Sequence, residues 1–422
     1  MTLFFRDEEM RQLQSGARFL TRGSQAVFVR GRSGIGKSAL AREFLENSEI
    51  RFVHVSLKKY STGDALIRMI LQSLLRDLGL RSAPRCLSLA AVFDYVFDVA
   101  RTSEFILCVD EADELGAADK TFWREFSGYW NQKSEKIRIL LVFCVRKIDE
   151  GDVKSLKNSK IISLKPFSLV NIRKILFSSG AEATAEQCLL LHCLTGGVPR
   201  YVMTFVRRGA WDAKTACELF RSEDCYFRLE GERLLKDAFF ASFASYAEIL
   251  RKMASGVQKR TDLQREFSGN VGGYLSKLEH EFHLVHRLDG VFGEKTVRKS
   301  RWAINDGFLI AWFSLIEGNE SFEKFLERRF AALAGQYLAE TGAFESVGPW
   351  WDRSGRHELP LVALSRGKAT VFLPSMWGEM PRAADFDRAL RSFSETMDIP
   401  EHRICQKALS SENLFSFGFG NT

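Results

Sequence analysis

Short apolar runs alternate with helical patterns along the first part of the chain. The runs are rich in Val, Ile, Leu and Phe, which predicts buried β-strands. They are Gln25–Val29, Phe52–Ser56, Phe105–Val109, Ile137–Val145 and Ile161–Ser163. Helical patterns between them include Ala39–Leu45, Asp64–Leu80 and Ser88–Ala100. This alternation predicts an α/β fold built on a doubly wound parallel sheet.

A glycine-rich loop follows the first predicted strand and precedes a predicted helix. It reads Gly31-Arg32-Ser33-Gly34-Ile35-Gly36-Lys37-Ser38, which has the form G-x-x-x-x-G-K-S of a phosphate-binding loop. Glycines let the backbone curl until its N–H groups point at phosphate oxygens, and the helix start favours an anion. Lys37 is expected to reach the β- and γ-phosphates, and the Ser38 hydroxyl to hold Mg²⁺. We therefore predict that this loop binds ATP with Mg²⁺.

Two carboxylates end the third predicted strand. The apolar run Phe105–Val109 leads directly into Asp110 and Glu111. Sites in parallel sheets lie beyond the carboxyl ends of the strands. Asp110 is therefore expected to bind Mg²⁺, commonly through a water, and Glu111 to polarise the attacking water as a general base. The string Asp110-Glu111-Ala112-Asp113 also matches one helicase family, but the loop lacks that family's A-x-T-G-x-G-K-T form, and no second helicase core follows.

Two flanking segments each leave two interpretations open. Arg6–Phe19 has helical spacing, and this helix either packs beside the nucleotide base or simply caps the domain. The fourth predicted strand ends in Arg146 and Lys147. In related ATPases a polar residue at this position senses the γ-phosphate or acts on a neighbouring subunit's nucleotide. For Arg146 the other interpretation is a solvated basic turn.

A motif with two glycines and a proline follows the helical stretch Leu169–Leu191. It reads Thr195-Gly196-Gly197-Val198-Pro199-Arg200-Tyr201, which ends one helix and starts another. The start Phe4-Phe5-Arg6-Asp7-Glu8-Glu9 has the residue types of an F-x-x-R-x-x-E motif at shifted spacing. Combined with this start, the phosphate loop and V-D-E, the glycine motif resembles the archaeal-type prokaryotic ATPases, AAA-like members of the STAND branch. In that family the G-G-x-P-[KR]-Y turn lies in a helical lid near the nucleotide. The resemblance implies a P-loop core of the additional-strand, catalytic-glutamate class, and a phosphate or lid-coupling contact for Arg200.

Three helical patterns and a hairpin pattern come after the lid. The helices are Tyr246–Ala254, Thr261–Phe267 and Val271–His280, and strands at Leu284–Arg287 and Arg301–Asn305 flank a turn at Gly290–Gly293. This order predicts a winged helix-turn-helix. From Arg251 to Arg301 there are 11 Lys/Arg against 6 Asp/Glu, a balance that suits contact with the phosphates of double-stranded DNA. The alternative is that the domain only mediates packing between lid and tail.

The tail resembles a restriction-endonuclease-like domain that has lost its metal site. In many relatives, one strand supplies an Asp and the next a Glu and a Lys for Mg²⁺-assisted cleavage of DNA. Here Pro360 replaces the Asp, and Pro374 and Met376 replace the Glu and the Lys. Both prolines are also expected to distort their strands. We predict no nuclease activity; the alternative is that Glu358 or Asp352 rebuilds a metal site.

The helix before these strands also resembles the nuclease pattern. It is predicted over Glu320–Leu338, and Glu323 or Glu327 would match the carboxylate of that helix in relatives. The resemblance thus extends to the tail. It implies a small α/β nuclease-like domain after the winged helix.

Length, charge and cysteine usage set the broader expectations. A chain of 422 residues is too long for one core, and we predict a P-loop core at 1–165, a helical lid at 166–240, a winged helix at 241–316 and a nuclease-like tail at 317–422. A net charge of +7 permits an anionic partner. Eight cysteines without a C-x-x-C pair indicate buried free thiols in a reducing compartment. With no signal-like start and no membrane-length apolar run, we expect a cytoplasmic protein without a membrane partner.

The predicted function is an ATP-driven conformational switch. ATP closes the lid over Lys37, Asp110 and Glu111, and the winged helix and tail report that state to a protein partner or a second copy of the chain. The alternative is a non-catalytic DNA-binding or scaffold protein in which nucleotide is structural.

Overall fold

The computed structural model describes residues 5–59, 61–239, 243–267, 269–288, 290–291, 300–377 and 385–417. It divides into two compact units, Met1–Pro166 and Phe167–Thr422. None of its described helices is long and apolar enough to cross a membrane.

A five-stranded parallel sheet forms the centre of the first unit. Its strands are β1 (Gln25–Arg30), β2 (Phe52–Ser56), β3 (Phe105–Asp110), β4 (Ile139–Val145) and β5 (Ser159–Ser163). Their spatial order is β2-β3-β4-β1-β5, and every adjacent pair is parallel. Strand β4 therefore lies between the strand that precedes the glycine loop and the strand that ends in the two carboxylates. This is the additional-strand arrangement, and the predicted α/β fold is confirmed.

Helices cover both faces of this sheet. They are α1 (Asp7–Phe19), α2 (Lys37–Glu46), α3 (Gly63–Leu78), α4 (Leu89–Val99), α5 (Asp113–Ala118), α6 (Phe122–Lys133) and α7 (Glu150–Lys154). Alternate residues of β1 enter different apolar clusters: Ala26 and Phe28 pack with residues of α3, α4 and α6, whereas Val27 and Val29 pack with residues of α1 and α2. Because both faces are buried, a ligand meets this sheet at the ends of its strands.

The second unit begins with helices that the sequence predicted only in outline. They are α8 (Leu169–Ser178), α9 (Ala185–Thr195), α10 (Pro199–Arg207), α11 (Ala213–Arg221) and α12 (Phe227–Phe239). The single helical stretch predicted at Leu169–Leu191 is wrong, because the chain turns between α8 and α9. Gly180 has φ +84°, and Thr184 forms a reciprocal capping box with Gln187 that starts α9 afresh.

The two glycines of the T-G-G-V-P-R-Y motif lie between α9 and α10, where the backbone of other segments approaches them closely. Gly196 and Gly197 both have positive φ, +60° and +69°. A Cβ on Gly197 would lie 2.2 Å from the carbonyl oxygen of Phe167, whose N–H donates to the Gly197 carbonyl at 2.7 Å. A side chain is therefore excluded at this turn both by conformation and by space.

Three helices and a two-stranded antiparallel sheet follow, as the winged-helix pattern predicts. They are α13 (Phe243–Ala254), α14 (Arg260–Glu266), α15 (Val271–His280), β6 (Val285–Arg287) and β7 (Trp302–Ile304). The predicted turn at Gly290–Gly293 lies partly outside the described residues.

The last part of the chain has the order helix, three strands, helix, strand. After α16 (Gly307–Ala311) and a π-helical segment (Trp312–Glu317) come α17 (Phe322–Glu340), β8 (Ser346–Trp351), β9 (Glu358–Ser365), β10 (Lys368–Pro374), α18 (Phe386–Met397) and β11 (Ile404–Leu409). The sheet order is β11-β10-β9-β8, with β10 and β11 parallel and the other two pairs antiparallel. The predicted small α/β domain is therefore present.

The expected distortion by proline occurs in one of the two strands. The β8–β9 register shifts between the pairs Gly348–Val362 and Trp350–Leu359, so that two residues of β9, Pro360 and Leu361, stand opposite the single residue Pro349 of β8. Strand β10, by contrast, keeps its register against β11 up to Pro374. Because Pro374 is the final residue of β10, its missing N–H interrupts no later pairing within that strand.

Candidate nucleotide-binding site

The glycine loop connects the carboxyl end of β1 to the first turn of α2. Gly34 has φ +80° and Gly36 has φ +102°, conformations that glycine adopts without strain. Gly36 directly precedes α2, and its carbonyl accepts from the Leu40 N–H at 2.9 Å. At the other end, the Gly31 N–H donates to the Val145 carbonyl at 3.1 Å. The loop is therefore anchored to β4 and ends in a helix amino terminus, the arrangement that binds phosphate.

Lys37 lies inside this loop, and its side chain is only 5% exposed. Its Nζ donates to the carbonyl oxygens of Gly31 at 2.7 Å and Arg32 at 3.2 Å. Burial lowers the pKa of the Lys37 ammonium, while the nearby Glu111 carboxylate acts in the opposite direction. The ammonium is thus held among loop carbonyls and close to the carboxylates that follow β3.

Asp110 and Glu111 occupy the end of β3 with different surroundings. Asp110 is 6% exposed, and its Oδ1 accepts from the Glu111 N–H at 3.0 Å. Glu111 has φ +55°, a left-handed conformation that costs energy for a residue with a side chain. Its Oε2 is buried and accepts no hydrogen bond within the described structure. A buried carboxylate oxygen without a donor fits a site that holds a water.

Ser38 is the second residue of α2 and is half-buried. In the described ranges no group of three or more His, Cys, Asp or Glu side chains could hold a metal ion by itself. Mg²⁺ commonly takes only one or two protein oxygens together with waters and substrate phosphates. The donor set of Ser38 and Asp110 is therefore suited to Mg²⁺ that enters with a nucleotide.

Arg146, directly after β4, is not a freely solvated turn residue. Its side chain is 32% exposed, with Nε 3.6 Å from Asp113 Oδ2 and Nη2 3.6 Å from Glu114 Oε1. Both carboxylates belong to α5, which follows β3. The sequence pattern identified Arg146 as a candidate but did not identify these two partners.

Arg6 is a site-supporting residue that sequence reasoning missed. It is 6% exposed and immediately precedes α1. Its Nη2 donates to the carbonyls of Lys165 at 2.7 Å and of Ile35 in the glycine loop at 3.2 Å. The available signal was the arginine of the F-x-x-R-x-x-E-like start, whose shifted spacing concealed the match. Arg6 fixes the loop relative to the segment that follows β5.

Arg200 lies in the second unit, as the second residue of α10. Its Nη1 is 3.8 Å from Glu230 Oε1, and its guanidinium stacks over the Tyr226 ring at 4.9 Å. Glu230 is 4% exposed and also accepts from the Tyr201 hydroxyl at 2.8 Å. The structure thus gives Arg200 a carboxylate partner in its own unit, and its predicted phosphate contact stays a prediction.

Comparison with known proteins agrees with this geometry. Residues 2–128 match the AAA ATPase domain family. A search of curated proteins finds no match. Among solved structures, the chain is similar to the Walker-type ATPase PABY2304 of Pyrococcus abyssi, with a TM-score of 0.53 and 17% identity over 74% of this chain and 96% of that one.

Two further solved structures show weaker likenesses. One is the Aeropyrum pernix ORC1 protein in complex with DNA, with a TM-score of 0.37 and 16% identity over 75% of this chain and 94% of that one. The other is the STAND protein PH0952 of Pyrococcus horikoshii, which has a tetratricopeptide repeat sensor, with a TM-score of 0.33 and 13% identity over 81% of this chain and 46% of that one.

The family match and the glycine loop together define the class of the first unit. It is an AAA-type ATPase domain. The predicted resemblance to AAA-like P-loop ATPases is confirmed, and the protein is an ATPase by the class of this domain.

Proposed function

We propose that the loop Gly31–Ser38 binds the phosphates of ATP and that Glu111 activates the water that attacks the γ-phosphate. The observation that supports this most strongly is the pairing of two buried groups. The Lys37 ammonium lies within the loop, and the Glu111 carboxylate has one buried oxygen without a donor. One group suits an anion, and the other suits a water molecule.

Each residue has a separate role in this proposal. Backbone N–H groups of the loop and Lys37 stabilise charge that develops on the phosphate oxygens, which is the main source of catalysis in phosphoryl transfer. Glu111 accepts a proton from water and orients it for in-line attack. Ser38 and Asp110 would hold Mg²⁺, which would supply positive charge to offset that of the nucleotide phosphates. Arg146 contacts the γ-phosphate and thereby distinguishes ATP from ADP.

The second unit would convert nucleotide state into a signal. We interpret it as a lid, a winged helix and a nuclease-like tail, with boundaries near 166–240, 241–316 and 317–422. The Arg200–Glu230 ion pair supports a coupling role for Arg200, because Glu230 also accepts a hydrogen bond from the hydroxyl of Tyr201, the next residue of the same motif.

We predict steady phosphate release from ATP by the purified protein in Mg²⁺, and at least a tenfold loss in excess EDTA. The physical reason is that Mg²⁺ neutralises charge that the protein's own donor set leaves uncompensated. The assay is run with and without a DNA duplex at two salt concentrations. Equal turnover in Mg²⁺ and in EDTA would contradict the assigned site.

The same assay distinguishes the alternative, a DNA-binding or scaffold protein with structural nucleotide. Exposed basic side chains on the winged helix favour it: Arg260, Arg265, Lys277 and Arg287. Against it, Arg301 is 8% exposed and pairs with Glu358, while Lys259 Nζ donates to the Gly355 carbonyl at 3.0 Å. Part of the basic excess therefore serves packing on the tail. Salt-sensitive duplex binding without phosphate release would favour the alternative.

Among the described residues of the tail, the carboxylates near the matching nuclease positions are occupied by other contacts. Met376 is 1% exposed, and its N–H donates to Glu327 Oε2 at 2.9 Å, so one of the two candidate helix carboxylates is bound to backbone. Glu358 is paired with Arg301, which also stacks over Trp351. Asp352 accepts from the Ser354 hydroxyl and from the N–H of Arg356. These contacts support the proposal that the domain has no metal site.

Incubation of the purified protein with plasmid and linear DNA in Mg²⁺ or Mn²⁺ is therefore expected to give no cleavage. Phosphodiester hydrolysis of this kind needs two carboxylates and an ammonium around metal, and the matching positions hold Pro360, Pro374 and Met376. Products are measured on gels beside a Glu358→Ala variant. Cleavage by the wild type that disappears in Glu358→Ala would show that Glu358 rebuilds a metal site.

A further inference from the structure

The Asp113 side chain, at the start of α5 just after β3, binds the segment that follows β4 with both carboxylate oxygens. The Arg146 N–H donates to Asp113 Oδ2 at 2.8 Å and to Oδ1 at 3.0 Å. The Lys147 N–H donates to the same Oδ1 at 3.1 Å. The carboxylate also lies 3.6 Å from the Arg146 guanidinium. One side chain thus fixes both the backbone and the charge of the segment that follows β4.

The backbone contacts could not easily be supplied by another group. Asp113 is 15% exposed, and Arg146 N–H lies in a partly buried position. Removing the carboxylate would take the Asp113 acceptor from the partly buried Arg146 N–H, which costs free energy, whereas the exposed Lys147 N–H can turn to water. Hydrogen bonds to an ionised acceptor are also shorter and stronger than neutral ones. The segment at Arg146 is therefore pre-organised by Asp113 rather than by its own turn.

A backbone hydrogen bond also joins the ends of β3 and β4. The Ala112 N–H donates to the Cys144 carbonyl at 2.9 Å. This contact is backbone to backbone, so it persists when the Asp113 side chain changes. Variants of Asp113 therefore alter the segment after Val145 while leaving the β3–β4 junction itself in place.

We propose that Asp113 is a positioning residue that aims Arg146 at the terminal phosphate of ATP. This inference rests on the proposed role of Arg146 and deepens it. Asp113 makes no contact with nucleotide in this scheme; it acts through the backbone of Arg146 and Lys147 and through the Arg146 guanidinium. The distinction between ATP and ADP then depends on Asp113 as strongly as on Arg146.

The test compares affinities for ATP and ADP and the rate of hydrolysis in five proteins: wild type, Arg146→Ala, Asp113→Ala, the double variant, and Asp113→Asn. Loss of one charge-assisted contact to phosphate is expected to reduce the ATP/ADP affinity ratio about tenfold or more in Arg146→Ala. Asp113→Ala is expected to reduce the ATP/ADP affinity ratio to the same extent. The double variant should reduce it no further, because both substitutions disable the same contact of Arg146 with phosphate. Asp113→Asn keeps one acceptor oxygen, so this variant should retain part of the preference for ATP over ADP.

A matched control and a stability measurement keep the test decisive. Asp64→Asn makes the same chemical change at an exposed carboxylate of α3 and should leave the ratio unchanged. Thermal unfolding identifies any Asp113→Ala sample that is not folded, in which case Asp113→Asn decides. A normal ratio in a folded Asp113 variant, or additive losses in the double variant, would overturn the inference while the ATPase proposal stands. Equal affinities for ATP and ADP in the wild type would overturn this inference together with the role proposed for Arg146. Absence of both ATP binding and hydrolysis in the wild type would overturn the ATPase proposal as well.

Discussion

The Lys37→Ala variant is expected to release phosphate from ATP about 10²–10³-fold more slowly than the wild type, a loss typical of removing one preorganised donor to developing charge. Lys37 supplies a buried ammonium that two loop carbonyls hold in place, at 2.7 and 3.2 Å. Alanine removes the charge and leaves those carbonyls without this donor, so nucleotide affinity should fall as well. The measurements are steady-state phosphate release and calorimetric titration with ATP.

The control for this variant is Lys154→Ala, which removes a lysine side chain that is 78% exposed in the same unit. It should keep wild-type turnover and affinity. Undiminished hydrolysis by a folded Lys37→Ala protein would refute the assignment of the phosphate loop.

The Glu111→Gln variant should separate binding from hydrolysis. Glutamine has nearly the same shape but cannot accept a proton from water, and loss of a general base typically costs 10²–10⁴-fold in rate. ATP affinity should be retained or increased, because the change removes a negative charge near the bound phosphates. Single-turnover hydrolysis and equilibrium binding of ATP measure the two effects independently.

For Glu111→Gln the matched control is Glu135→Gln, which alters a glutamate side chain that is 67% exposed in the first unit. If Glu111→Gln hydrolysed ATP at the wild-type rate, another group would have to activate the water. If the variant behaves as expected, it is also a stable ATP-bound form with which a protein partner can be captured from cells.

Local sequence signals were sufficient for the sheet and for the residues at the ends of β1 and β3. A glycine loop between an apolar run and a helix, and two carboxylates after the run Phe105–Val109, depend on spacing of a few residues. Each such pattern lies within one strand–loop unit, so it can be recognised without knowing the contacts made by the rest of the chain. The helix break between α8 and α9 was missed although local signals mark it: Ser178-Ser179-Gly180 follows the last apolar residues of α8, and Thr184 with Gln187 starts α9.

Contacts between residues far apart in the sequence could not be predicted from such local patterns. Arg6 reaches Ile35 and Lys165, positions 29 and 159 residues away. Asp113 holds the N–H of Arg146, 33 residues later. Nothing in the local composition marks such pairs, because an arginine or aspartate in a polar stretch is usually solvated. For the same reason, the ion pairs of Arg200 with Glu230 and of Arg301 with Glu358 could not be predicted.

Calorimetric titration of the Glu111→Gln protein with ATP in Mg²⁺ tests the central claim most directly, because slow hydrolysis leaves only the heat of binding. The account predicts saturable binding at one site per chain, and loss of that binding when Lys37→Ala is added. Absence of any heat with ATP or ADP from the folded protein, or binding that survives Lys37→Ala unchanged, would contradict it.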